Sequence, residues 1–326
     1  MTTVEHLRPG ALLSAEHLVQ RFKVLDGVLE AVSDVSFDVE EGETLGLVGE
    51  SGCGKSSTGR AVLQLPRPTS GTVRFAGHDL TRAADAELRD VRARLQTIFQ
   101  DPTSALNPRR RVRDIVGEGL VIRGVDRAEI GRRVDEALDR VGLDPATAGD
   151  RRPHEFSGGQ CQRIAIARAM VLRPHLIICD EPVASLDVSV QGQVLNLLES
   201  MRADDGLSLV FISHDLHVVR AISDRVAVMY LGKIVEIGEV GSVLRRPRHH
   251  YTRTLLDALH EVDGSRSTVP TAEGHTGEVP SALRPPSGCR FRTRCAYAEA
   301  KCATEEPPLR RLGEDHFVAC HFPETE

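Results

Sequence analysis

Hydrophobic positions fall into short runs broken by polar and glycine-rich joints, and their period changes along the chain. Residues 11–45 read as alternating short strands: Leu12-Leu13, Val19-Gln20-Arg21-Phe22 and Val35-Ser36-Phe37-Asp38-Val39. The acidic turn Glu40-Glu41-Gly42-Glu43 closes that stretch. Thr44-Leu45-Gly46-Leu47-Val48 is an apolar run suited to a buried parallel strand. It leads straight into Gly49-Glu50-Ser51-Gly52-Cys53-Gly54-Lys55-Ser56, and a helix is expected from about Lys55.

Residues 101–156 change character and are rich in Arg, Asp and Glu. Val134, Leu138 and Val141 share a helical face there, so the stretch reads as a helical insertion ending near residue 160. From Gln160 to Leu172 the spacing predicts an amphipathic helix with Ile164, Ala167 and Val171 on one side. Leu176–Cys179 and Leu209–Ser213 read as further buried strands, and Val226–Ile237 as a hairpin turning at Gly232-Lys233. Residues 263–288 hold many Gly, Pro, Ser and Thr and read as a linker. The remaining 289–326 segment is too short for a core of its own and needs a staple. No internal repeat is apparent. The expected organisation is one α/β domain over 11–262, the linker, and a short cysteine-rich extension.

Composition narrows the function. Hydrophobic residues make up 40% of the 326 positions and charged residues 27%, an ordinary globular balance. Trp is absent and the net charge is −6, which argues against a nucleic-acid surface. The longest apolar stretches, such as Leu207–Ile212, fall far short of a spanning helix. Met1–His6 shows no basic segment leading into an apolar one, so no signal peptide is expected. The chain reads as cytoplasmic, with any membrane link made by a partner.

Gly49-x4-Gly54-Lys55-Ser56 fits the phosphate-loop pattern and sits between a predicted strand and a predicted helix. Glycines let successive N–H groups turn toward phosphates, and the helix N-terminus adds a favourable dipole. Lys55 suits the β- and γ-phosphates of ATP, and the Ser56 hydroxyl suits Mg²⁺, with Ser57 following. Asp180 and Glu181 end the Leu176–Cys179 strand. Asp180 suits Mg²⁺ coordination, and Glu181 suits a general base acting on water. Without the loop upstream, two acids after an apolar run would mean only a strand end.

A phosphate loop alone fits kinases and GTPases equally well. Phe156-Ser157-Gly158-Gly159-Gln160 separates them, because it closely resembles the signature of ABC-type ATPases. The resemblance implies a phosphate-loop NTPase with a RecA-like core, an antiparallel β subdomain and a helical signature subdomain. It also implies that Ser157, Gly158, Gly159 and Gln160 face ATP held by a second, head-to-tail ATPase subunit. By the same resemblance Gln100 matches the Q-loop that touches Mg²⁺ or water and senses the membrane partner. Ser185-Leu186-Asp187 matches the D-loop, and His214 the switch histidine. Phe22 is a candidate for the aromatic that stacks on adenine, against the plainer reading of a strand-face residue.

The match is closer still to the ATPase subunits of bacterial oligopeptide and dipeptide importers, and covers residues 11–322. It rests on Gly46–Lys55, Ile98–Pro102, Ser157–Ile164, Leu176–Pro182 and the tail Pro285–Cys295. Departures are small. Ala184-Ser185 is exchanged relative to the usual D-loop order, Ser57 replaces the commoner Thr, and His249-His250-Tyr251 stands where His-Pro-Tyr is usual. The implied partners are a second ATPase chain (as a heterodimer), two transmembrane permease subunits and an extracytoplasmic solute-binding protein, with no nucleic acid. The implied place is peripheral, on the cytoplasmic face of the inner membrane. Arg109–Arg113 is a candidate for the permease-facing surface, though such a run also suits plain solvation. Importers of nickel, sugars or heme, and non-transport ABC ATPases, are the alternatives.

The tail spacing Cys289-x5-Cys295-x6-Cys302-x17-Cys320 lacks the paired C-x2-C knuckles of structural zinc. Four thiolates can hold Zn²⁺ or a [4Fe–4S] cluster. The subunits resembled here carry such a cluster in this tail, which favours iron–sulfur in a structural role. Arg290, Arg292 and Arg294 are candidates to offset its charge.

Overall fold

The computed structural model describes residues 4–262 and 278–324, the side chains of residues 259–262 excepted. The 263–288 linker reading therefore falls largely outside the described residues. Its described end, 278–288, is irregular and turning. In chain order the strands are β1 (Leu13–Val24), β2 (Gly27–Val39), β3 (Thr44–Val48), β4 (Ser70–Phe75), β5 (His78–Asp79) and β6 (Leu95–Ile98). They continue with β7 (Leu176–Asp180), β8 (Ser208–Ser213), β9 (Arg225–Tyr230), β10 (Lys233–Glu239), β11 (Arg310–Gly313) and β12 (His316–Val318). The helices begin α1 (Lys55–Val62), α2 (Asp85–Arg94), α3 (Pro102–Ala105), α4 (Val112–Ile122), α5 (Arg127–Arg140) and α6 (Pro145–Ala148). They end α7 (Gly158–Met170), α8 (Val188–Asp205), α9 (Leu216–Ile222), α10 (Val240–Arg245), α11 (His250–Val262) and α12 (Ala300–Thr304).

These elements form two compact units. The first takes its described residues from 1–40, 44–82 and 213–326, and the second from 41–43 and 83–212. In the first unit one sheet is antiparallel, ordered β2-β1-β4-β5. A second run of strands is ordered β11-β12-β10-β9-β3, antiparallel except where β9 meets β3. Every residue of β3 is buried, so it reads as a continuous apolar run without alternation. The three short strands expected over 11–39 are instead one long hairpin. Register shifts in β1 between Ala15 and Arg21, with His17 and Asp34 at positive φ, break the period-two pattern. The β9–β10 turn is Leu231-Gly232, both at positive φ, one residue earlier than the Gly232-Lys233 expected.

In the second unit three parallel strands run in the order β8-β7-β6. Helices α3 to α7 supply its helical part. Asp126 caps α5 by accepting from Ala128 N–H, and Val134, Ala137 and Leu138 are its buried stripe. Helix α7 is not the amphipathic helix expected. Cys161, Gln162, Ile164, Ala165, Ile166, Ala167, Ala169 and Met170 are all buried, so it is enclosed on nearly every side.

Candidate functional site

β3 delivers the chain into the phosphate loop, and α1 carries it away. Gly49 and Gly54 are required by geometry. A Cβ on Gly49 would lie 2.2 Å from Met229 O, and one on Gly54 2.2 Å from Ala31 O. Gly54 also has φ +108 at the N-cap of α1, a conformation that side chains avoid. Lys55 is only 4% exposed. Its Nζ donates to Gly49 O (2.7 Å) and Glu50 O (3.1 Å), so the cation sits over its own loop. Cys53 is buried inside the loop, and burial raises its thiol pKa. Ser51 and Gly52 are exposed, while Ser56 and Ser57 at the start of α1 are half-buried.

The same unit holds Phe22 and His214. Phe22 is half-buried near the tip of the first hairpin, paired across to Leu29. His214 is exposed directly after β8. Asp215 caps α9 by accepting from His217 N–H (2.8 Å), which fixes the turn that carries His214.

In the second unit β7 ends in a buried Asp180, and Glu181 follows at φ +46. A bulky residue in that region costs on the order of 1–3 kcal/mol and re-aims its side chain. Glu181 N–H donates to Ile212 O (3.0 Å), and its carboxylate accepts from Gln100 Nε2 (3.1 Å). The structure thus brings together Gln100 and Glu181, the residues expected to act on water. Ser157 caps α7 through a reciprocal box. Gln160 N–H donates to Ser157 Oγ (3.3 Å), and Ser157 N–H donates to Gln160 Oε1 (3.0 Å). Ser157, Gly158 and Gln160 are exposed. Gly159 has a packing reason to be glycine, because its Cβ would lie 2.6 Å from Val190 Cγ1. Asp187 is exposed at the start of α8.

The cysteine tail folds within the first unit. Cys289, Cys295, Cys302 and Cys320 line one small cavity together with His249 and Arg292. Burial raises the Cys289 thiol, and pushes Cys295 up to about 11 and Cys320 to about 12. Arg292 N–H donates to Cys289 O (3.1 Å) and Ala298 N–H to Cys295 O (3.2 Å), which turns the backbone around the first two thiols. Among the described residues no group of three or more His, Cys, Asp or Glu side chains is arranged to hold a metal ion. Arg290 donates to Leu231 O and Ser33 Oγ, and Arg292 to Ser287 O. Arg294 forks onto the Glu50 carboxylate at 2.8 and 2.9 Å.

Residues 32–184 match the ABC transporter family, and residues 235–302 the C-terminal region of oligopeptide/dipeptide transporters. The oligopeptide transport ATP-binding protein OppF of Haemophilus influenzae is 45% identical over 95% of this chain and 96% of its own length. The chain belongs to the ABC transporter family. Its similarity extends to the oligopeptide transport ATP-binding protein AppF of Bacillus subtilis, 48% identical over 91% of this chain and 90% of the relative. A dimeric ATP-binding cassette, MJ0796, in a post-hydrolysis state with ADP and Pi, superposes with a TM-score of 0.64. It is 26% identical, covering 70% of this chain and 98% of the cassette. The cbiO1 protein of Clostridium perfringens gives 0.65 at 27% identity, covering 78% and 98%. The α/β cassette fold expected from the sequence is the fold found.

One expectation changes. Arg290 and Arg294 are committed to Leu231, Ser33 and Glu50, so of the three arginines only Arg292 lines the cysteine cavity. His250 opens α11 at its first position. Proline and non-proline residues are both tolerated there, so the exchange for Pro leaves local geometry intact. What sequence reasoning missed is Tyr251, whose hydroxyl accepts from Glu50 N–H (2.9 Å), and the Arg294 fork. Over two hundred residues separate these partners from Glu50, and no local spacing rule reaches that far.

Proposed function

We propose that the chain binds and hydrolyses ATP to energise a membrane ABC importer of oligopeptides or dipeptides. The observation that carries this reading is the pairing of a complete cassette with the oligopeptide/dipeptide-type C-terminal region at 235–302. The names of the relatives, both oligopeptide transport proteins, support the solute class. The chain divides as 11–262 for the nucleotide-binding domain, with its helical part over about 101–160, and 289–326 for the extension. Among the described residues no helix is long and apolar enough to cross a membrane, and in this reading the permease is a separate partner. The chain works peripherally, at the cytoplasmic face of the inner membrane.

In this reading Gly49, Glu50, Ser51, Gly52, Cys53, Gly54 and Lys55 hold the phosphates, with Ser57 beside them, and Phe22 stacks on the base. Ser56, Asp180 and Gln100 hold Mg²⁺, which when bound neutralises phosphate charge. Glu181 takes a proton from the attacking water, and Gln100 orients its carboxylate. His214 positions the γ-phosphate end. Ser157, Gly158, Gly159, Gln160 and Asp187 face the nucleotide of a second ATPase chain, a heterodimer partner. Support for such a partner is the exposure of Ser157, Gly158, Gln160 and Asp187. Two permease subunits and an extracytoplasmic binding protein complete the assembly.

The four tail thiols would hold a [4Fe–4S] cluster rather than Zn²⁺. Support for this reading is that the four thiols line one cavity, a donor set of the right chemistry. Such a group supplies a covalent staple for a segment too short to fold alone. The experiment is co-expression with the neighbouring permease subunits and reconstitution into vesicles with the binding protein. Peptide should stimulate ATP turnover and enter the lumen. Stimulation by nickel or a sugar instead would overturn the solute class.

A further inference from the structure

We propose that the Cys289–Cys295 turn is a positioning element for the phosphate loop, acting through Arg294 on Glu50, so that gathering the four thiols sets nucleotide affinity. This rests on the reading that the loop binds ATP.

The turn has two faces. Cys289 and Cys295, at its ends, line the thiol cavity. Between them Phe291 and two arginines serve the nucleotide side. Phe291 is buried against Tyr230 and Tyr251, with ring centroids 5.3 and 5.4 Å away. Arg294 lies over this aromatic cluster, 5.8 Å from both the Tyr230 and Phe291 centroids. From there it forks onto Glu50, the second residue of the loop. Glu50 is held a second time, because its N–H donates to the hydroxyl of the buried Tyr251.

Arg290 grips the other end of the loop indirectly. It donates to Leu231 O and to Ser33 Oγ, while Ser33 N–H donates to Gly232 O (2.8 Å). Gly232 N–H in turn donates to Cys53 O at 2.7 Å. The two arginines therefore brace Glu50 and Cys53, which flank Ser51 and Gly52 inside the loop. Lys55 completes the link, since its Nζ rests on Glu50 O. Moving Glu50 moves the seat of the cation that meets phosphate.

Magnitude sets this fork apart from ordinary surface pairs. Side-chain exposure is 10% for Arg294 and 25% for Glu50. Arg132–Glu129, at 52% and 32%, is the screened kind that adds little. A bidentate, half-desolvated pair loses far more when one partner is removed. The backbone of the turn is tied at a few points. Cys289 N–H donates to Cys302 O, and Arg292 and Arg294 N–H groups bond within the turn. Its two ends are thiols of the cavity, so what holds the thiols bears on its shape together with these bonds.

The test measures ATP affinity, ATP KM and kcat on the purified full chain with a fluorescent ATP analogue and a turnover assay. Arg294→Ala should weaken nucleotide binding about tenfold and raise KM with kcat little changed. Arg294→Lys should restore about half of that loss on a logarithmic scale. Glu50→Gln added to Arg294→Ala should cost nothing further. Cys320→Ser, remote from the loop in sequence, should weaken binding when Arg294 is present and add nothing in the Arg294→Ala background. Thermal unfolding checks that each variant is folded, and Arg294→Lys and Glu50→Gln serve if Arg294→Ala is not. Unchanged affinity in Arg294→Ala would overturn the proposal, as would an equal effect of Cys320→Ser with and without Arg294. Lys55→Ala is the control: wild-type protein that binds ATP no better than this variant would sink the nucleotide reading itself.

Discussion

The phosphate loop and the signature turn are both glycine-rich helix N-termini, yet they are supported in opposite ways. The loop is gripped from several sides: Met229 and Ala31 crowd its glycines, Gly232 holds Cys53, and Tyr251 and Arg294 hold Glu50. The signature turn is tied mostly to itself. Ser157 and Gln160 cap each other, and Ser157, Gly158 and Gln160 lie exposed. Arg151 covers the Phe156 ring just before them, at 4.4 Å to its centroid. In the proposed reading the loop holds its ligand within one chain, and that chain prebuilds it. In the same reading the signature turn meets another molecule, and it keeps its donors at the surface and relies on a local cap. Preorganisation of this kind lowers the ordering cost of binding.

Three substitutions can break or sharpen this contrast. The largest effect is expected from Lys55→Ala, which removes the buried cation from the loop. ATP affinity should fall by about a hundredfold or more, the scale of losing a charge-assisted phosphate contact. Isothermal titration with ATP checks it, and affinity within a factor of three of wild type would contradict it. Next is Gly159→Val, which forces atoms into Val190. Overpacking of this kind typically costs about 1–3 kcal/mol, read as a lowered denaturant midpoint. Gly158→Ala, where the nearest atom is Leu186 Cδ2 at 4.0 Å, should leave stability unchanged. Equal destabilisation by the two would show that the signature turn is not built as described.

The smallest effect concerns pH. His6 is buried, pairs with Ser36 O (2.8 Å), and has its pKa lowered by burial. A depressed folded pKa means its stabilisation is complete above the unfolded value of about 6.5 and is lost as pH falls below it. Between pH 7.5 and 5 the wild type should therefore lose more melting temperature than His6→Asn. Identical pH slopes would refute that assignment.

Much of this was legible in the chain because the chemistry is local. Strand β3, the loop and α1 form one continuous stretch, and so do β7, Asp180 and Glu181. Ser157 and Gln160 sit at the three-residue spacing of a capping box. Register was less legible, since the bulges in β1 interrupt alternation and made one strand look like two. The enclosure of α7 was hidden because a polar side chain, Gln162, interrupts its apolar positions, yet Gln162 is fully buried. Least visible were the partners of Arg290 and Arg294. A charged residue beside a cysteine suggests compensation of the cysteine's ligand, and only the fold shows that it points to Glu50.

The division between holding and turnover meets its most direct test at Glu181. The Glu181→Gln chain should bind ATP with wild-type affinity, while its hydrolysis rate falls by about 10²- to 10⁴-fold for want of a general base. A variant that hydrolyses ATP at the wild-type rate would contradict the account, because the base would then lie elsewhere.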